Sequence, residues 1–120
     1  MAEQPLINVS ETRCVALADE TRFEPNGIVS RTLLRTPGVR AVLFGFAEGQ
    51  ELTEHSAPYH ALVQALEGQC EFTVNGQVHA LKPGDWLSMP PQAPHALKAV
   101  TRFSMLLILI PPAVSVTGRS

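Results

Sequence analysis

Glu71-Phe72-Thr73-Val74-Asn75-Gly76-Gln77-Val78-His79-Ala80-Leu81 is the stretch on which the fold turns. Phe72 and Val74 alternate with Glu71, Thr73 and Asn75, the two-residue period of a strand with one buried face. Asn75-Gly76 supplies the two positive φ angles of a tight turn, and Val78 and Leu81 follow in the continuing chain. The segment reads as a β-hairpin.

Working outward from it, punctuation recurs at short intervals. Glycine or proline stands at Pro25, Gly27, Pro37, Gly38, Gly45, Gly49, Pro58, Gly68, Pro83, Gly84, Pro90, Pro91, Pro94, Pro111 and Pro112. Few intervals leave room for a helix. The short apolar segments between them, residues 29–34, 39–46, 61–66, 70–74, 77–81, 86–89, 95–100 and 103–110, read as strands. Residues 62–66 and 105–110 lack clean alternation, which predicts strands covered on both faces, as in a closed barrel or a sandwich. Residues 15–18 fit either a strand or a helical turn, residues 19–26 read as loop, and residues 113–120 have little to bury and are expected to fray.

Bulk properties bound the answer. A chain of 120 residues with 45% hydrophobic content supports one core, so a single domain over 1–120 is expected, with no internal repeat or linker. Only 17% of residues are charged and the net charge is -2, with no run of Lys or Arg to neutralise a phosphate backbone, which argues against nucleic acid as a partner. The longest apolar run, Met105 to Ile110, is six residues, far short of the ~20 that span a bilayer as a helix. Residues 1–10 lack the basic and then apolar pattern of a secretory signal, and a cytoplasmic location is expected. Cys14 and Cys70 form neither a CxxC pair nor a disulfide framework; both are expected reduced, with Cys70 a small packing residue.

The chemistry concentrates in two stretches. Gly49-Gln-Glu-Leu-Thr-Glu-His55-Ser-Ala-Pro-Tyr59-His60-Ala-Leu-Val-Gln64-Ala-Leu-Glu-Gly68 is the first, and Gly84-Asp-Trp86-Leu-Ser-Met-Pro90-Pro-Gln-Ala-Pro-His95 the second. They hold His55, His60 and His95, three of the four histidines. Neutral imidazoles from neighbouring strands can hold a divalent transition metal and leave positions open for substrate or water. His79 reads as a structural or surface histidine, and Glu51 and Glu54 as solvated carboxylates. Ser56 lacks the neighbouring base of an activated nucleophile, so hydrolase chemistry is rejected.

At these residues the chain resembles the cupin superfamily, in particular small single-domain cupins with an HxAPxxALVxxLEG pattern. Gly49, His55 and Gly68 fall in the register of the family's first motif, and Gly84, Pro90 and His95 in that of the second. Ala57 stands at the family's second histidine position and Ala61 at its glutamate position, so half of the usual ligand set is missing. Gln92 and Ala99 replace a small residue and an amide. The resemblance, over about residues 41–110, implies an all-β, antiparallel cupin-type barrel or jelly roll with a pocket at His55 and His95. It leaves open which of the family's many functions applies.

Local replacement of the missing ligands is one expectation. His60 and Gln64 reproduce the family's His-x-x-x-Glu spacing with both members displaced by three residues. Strict alternation sets His60 on the opposite face from residue 61, whereas a bulge at Pro58 would reset the faces. Gln64, inside Leu62-Val63-Gln64-Ala65-Leu66, reads as a buried amide in need of a partner.

Three functions follow. In the first, His55, His60, His95 and Gln64 hold Fe, Mn, Ni or Zn, which binds a small polar organic molecule for oxygenase or isomerase chemistry; the absent glutamate leaves no obvious general base, so enzymatic activity stays open. In the second, a metal-free pocket, with Tyr59 and Trp86 as ring-stacking candidates, binds a small carboxylate or sugar as sensor or carrier. In the third, the barrel is an assembly module. A homodimer is expected because strand 103–110 is apolar on both faces with little chain left to cover it.

Overall fold

The computed structural model describes residues 4–112, and the tail 113–120 lies outside the described residues. One helical turn, α1 (Leu17–Glu20), precedes nine strands: β1 (Ile28–Thr36), β2 (Val39–Phe46), β3 (Glu51–His55), β4 (His60–Glu67), β5 (Cys70–Val74), β6 (Gln77–Leu81), β7 (Trp86–Met89), β8 (His95–Ala99) and β9 (Phe103–Ile110). They form a five-stranded sheet, β1-β2-β9-β4-β7, and a four-stranded sheet, β3-β8-β5-β6. Every recorded pairing is antiparallel. The β5–β6 hairpin pairs Val74 with Gln77 across Asn75 (φ 50°) and Gly76 (φ 79°), the turn that the Asn-Gly pair dictates.

Alternation decides what each sheet faces. Phe46, Ala61, Val63, Ala65, Phe103 and Met105 of the larger sheet meet Cys70, Phe72, Leu81, Leu97 and Ala99 of the smaller one in a single buried cluster. Phe46, Val63 and Phe103 are wholly inaccessible. Hydrophobic transfer of these side chains, at roughly 25 cal/mol per Å² removed from water, is the main force holding the sheets together.

The outer face of the larger sheet carries a second cluster, Leu33, Ala41 and Leu43 with Leu34, Leu66, Leu106 and Ile108. The N-terminal segment covers it. Leu6, Ile7, Val15 and Leu17 pack there, and the amides of Leu6 and Ile7 donate to the carbonyls of Thr32 and Leu33. Further along, the backbone of Arg22 crosses Gly45 so closely that a Cβ would collide with its carbonyl. The premise that little chain remains to cover strand 103–110 is therefore corrected: Leu6, Ile7, Val15 and Leu17 pack on the same outer cluster that Leu106 and Ile108 join. Trp86 (62% exposed) and Ile110 (39%) stay accessible. Among the described residues no helix is long and apolar enough to cross a membrane.

One strand escaped the sequence pattern. β3 (Glu51–His55) carries a single half-buried hydrophobic residue, Leu52, among exposed neighbours, because it lies at the edge of the smaller sheet.

Candidate functional site

His55 reaches the pocket through an irregularity in its strand. β3 pairs with β8 through Leu52 and Leu97, then shifts register so that His55 lies opposite His95. Strict alternation from Leu52 would turn His55 outward; the bulge between them brings it onto the inner face. On the other side of β8, His95 pairs with Val74 at the end of the hairpin strand. The two imidazoles meet with ring centroids 4.3 Å apart and planes inclined by 60°.

Both rings are anchored alike. Nδ1–H of His55 donates to the carbonyl of Thr53 and Nδ1–H of His95 to that of Ala93, each at 2.9 Å. A carbonyl can only accept, so a neutral ring keeps its proton on Nδ1 and its Nε2 lone pair unprotonated. Phe72 stacks beside His95 at 6.0 Å. His55 is exposed at the mouth and His95 half-buried behind it.

Two adjoining chambers open from this pair. One, of about 90 Å³, is lined by Phe44, Leu52, Phe72, Leu97 and Met105 together with residues of the junction. The other, of about 140 Å³, runs past Ala57, Tyr59, Ala61, Pro90, Ala93 and Leu109. His55, Met89, His95 and Leu107 line both, so they form the waist between the chambers. Apart from the two imidazoles and the Tyr59 phenol, the lining side chains are apolar or thioether.

The remaining sequence candidates separate. Tyr59 joins the site, at the wall of the larger chamber. His60 does not: its Nε2 bonds to Ser88 Oγ at 2.8 Å, and both residues are exposed. β4 runs in strict alternation, with Ala61, Val63 and Ala65 buried, so His60 and Gln64 point the other way. Gln64 is exposed, which corrects its reading as a buried amide; the half-buried Leu62 and Leu66 beside it mimic a core environment in the sequence. Trp86 pairs with Gln64 on that outer face and lines neither chamber. The four-residue set is thus divided: His55 and His95, on the smaller sheet, line the chambers, while His60 and Gln64 lie on the outer face of the larger sheet. His79 lies opposite Phe72 on β6 and touches neither chamber. Sequence reasoning did not single out Met89; its one signal was its place directly before Pro90 in the second motif.

The family model described as a cupin domain matches residues 42–111. The chain belongs to the cupin family. A conserved protein of unknown function from Streptococcus pyogenes is 32% identical over 95% of this chain and 98% of its own, with a TM-score of 0.81. A cupin superfamily protein from Desulfitobacterium hafniense is 28% identical over 93% and 100% of the two chains, with a TM-score of 0.80. An uncharacterized protein from Aquifex aeolicus is 28% identical over 81 residues, and the match spans 66% of that relative.

Cupins often hold a divalent metal, so the donor set has to be tested against one. Ala57 and Ala61, the positions where the family places its second histidine and its glutamate, do line the chamber here. The register is right and the donors are absent. Among the described residues no three His, Cys, Asp or Glu side chains come together in a group able to hold a metal ion. Two imidazoles with no carboxylate supply fewer than the three protein ligands that even an open catalytic divalent site uses, so this pair alone does not fit the family's usual ion.

Proposed function

We propose that this cupin is a small-molecule-binding protein whose chamber takes a compact, largely apolar organic molecule with one polar group set against His55 and His95. The observation that carries the reading is the waist: two imidazoles with Nε2 directed away from their anchoring carbonyls, in a cavity otherwise walled by Phe44, Leu52, Phe72, Leu107 and Leu109. A hydroxyl on the ligand would donate to an Nε2 lone pair. The apolar walls would take the rest, as small-molecule sites generally do. Chambers of about 90 and 140 Å³ suit a molecule of about one ring, since a cavity of ~150 Å³ accommodates benzene. Oxygenase or isomerase chemistry on a protein-held divalent ion has only two donors to rest on.

The test is a fragment screen by ligand-observed NMR on protein kept in chelator. Single-ring phenols are expected to bind, sugars are not, and His95→Ala should weaken the hits about tenfold by removing one hydrogen bond in an apolar-walled site. Ala61→Leu, which fills the larger chamber, should abolish them. Equal binding to wild type and Ala61→Leu would overturn the proposal.

A further inference from the structure

The waist of the chamber has a composition that the family's usual metals do not explain. On the ladder between β4 and β7, Ala61 pairs with Met89. A methyl group therefore stands where the family places a carboxylate, and the thioether side chain beside it lines both chambers together with His55 and His95. The hard donor is gone and a soft one lies next to its place. Met89 is 1% exposed and Met105, on the wall of the smaller chamber, 2%.

We propose that His55, His95 and Met89 form a binding site for monovalent copper, Cu(I). Thioether sulfur selects Cu(I) over the harder divalent ions, and imidazole suits copper in either state. Charge points the same way. The Born cost of taking an ion into a low-dielectric site grows with the square of its charge, so a monovalent ion costs about one quarter of what a divalent one does. With three neutral donors and no carboxylate, the smaller charge is the less costly one to hold. Low coordination numbers suit Cu(I), and three donors satisfy it without the water ligands that apolar walls would exclude. Both imidazoles have their Nδ1–H groups fixed on carbonyls, which orients Nε2 as the coordinating atom in each. His55, exposed at the mouth, gives the ion its entry path.

The inference does not depend on the identity of an organic ligand, because the ion is the probe. Cys14 is an exposed thiol that would capture Cu(I) by itself, so the measurement uses a Cys14→Ser background. Cu(I) is titrated anaerobically in competition with bicinchoninate, and the bound ion is read by X-ray absorption. One Cu(I) per chain is expected, with nitrogen and sulfur scatterers. Met89→Leu, a near-isosteric exchange that keeps the packing, should weaken Cu(I) at least about tenfold and remove the sulfur signal while leaving the melting temperature within a few degrees. His95→Ala should abolish tight binding. Failure to withdraw Cu(I) from the competitor, a nitrogen-only spectrum in the wild-type site, or an unchanged affinity in Met89→Leu would each overturn the site. None of these outcomes bears on fragment binding to the copper-free chamber, so the two proposals fail separately.

Discussion

The backbone N–H of Gln92 donates to the carbonyl of Ala57 at 2.8 Å, and this one bond ties the loop that presents His95 to the loop that follows His55. Gln92 makes it from a left-handed backbone conformation, φ 69°, in a run otherwise stiffened by Pro90, Pro91 and Pro94. The cupin pattern places a small residue there, and the angle is the reason: an L side chain at positive φ crowds the following carbonyl and costs roughly 1–2 kcal/mol.

Gln92→Gly should therefore stabilise the protein by about 1 kcal/mol, the relief of strain being partly offset by the extra freedom glycine has when unfolded. Gln92→Pro should do the reverse. It removes the donor to Ala57 and forces a negative φ, so it should loosen both histidine loops. Urea denaturation of the two variants beside wild type checks the opposed signs.

Gly68 offers a sharper test of backbone geometry. It sits at φ 77°, and a Cβ there would collide with the carbonyl of Arg102 and lie 2.7 Å from Thr101 Oγ1. The segment it opens is held by the amide of Gln69 on Thr101 Oγ1 at 3.0 Å and by the Arg102–Glu67 ion pair at 2.6 Å. Since the obstacle is backbone, nothing can yield cheaply. Gly68→Ala should cost about 3 kcal/mol, read as a lowered urea midpoint at unchanged slope.

The fold was legible because the turns are chemically explicit. Strands 39–46, 70–74, 77–81, 86–89 and 103–110 have in the structure the limits expected from the sequence, each with a glycine or proline close to at least one end. β3 was not legible: Glu51-Leu52-Thr53-Glu54-His55 is polar on both sides, and only its pairing with β8 makes it a strand. At the site, His55 and His95 could be found from their motif positions. Gln64 was misread because Leu62 and Leu66 belong to the outer face, while the inner face of β4 is built from the small Ala61, Val63 and Ala65. A set of small inward residues leaves little periodic contrast. Met89 escaped because a methionine before a proline looks like ordinary packing until its neighbours in space are known.

The two cysteines should differ in reactivity. Cys14 is exposed, whereas burial pushes the Cys70 thiol up to about 12, the hydrogen bond with the Leu81 backbone offsetting only part of that and Glu71 adding to it. The thiolate is the nucleophile, so Cys70 is silent at neutral pH. Native protein treated with iodoacetamide near pH 8 should acquire a single label, on Cys14, and a second only in denaturant. Labelling of Cys70 in the folded protein at a comparable rate would show that the strand pair β5–β6 opens locally.

The turn at Lys82–Asp85 gives the protein a predictable acid response. The Lys82 amide donates to Asp85 Oδ2 at 3.0 Å, with the Lys82 ammonium at 3.4 Å, and the amide bond chiefly, then the ammonium, holds the Asp85 carboxyl below its ordinary value of 3.8. A group depressed in the folded state stabilises it at pH values above the unfolded pKa, and that contribution disappears as pH falls through the folded pKa. The difference in stability between wild type and Asp85→Ala should thus be level from about pH 8 to about pH 5 and narrow on acidification below the ordinary carboxylate range. A gap that stayed level through and below the ordinary carboxylate range would show that the carboxylate's bond to the Lys82 amide contributes nothing. Urea melts of both proteins at a series of pH values separate the two behaviours. The same turn anchors β4, through Gly84 N–H to the Ala65 carbonyl at 3.0 Å and Ala65 N–H to the Asp85 carbonyl at 2.9 Å. Loss of its carboxylate should therefore be felt in the strand that carries Ala61, as faster amide exchange at Ala65 in Asp85→Ala at neutral pH than in wild type.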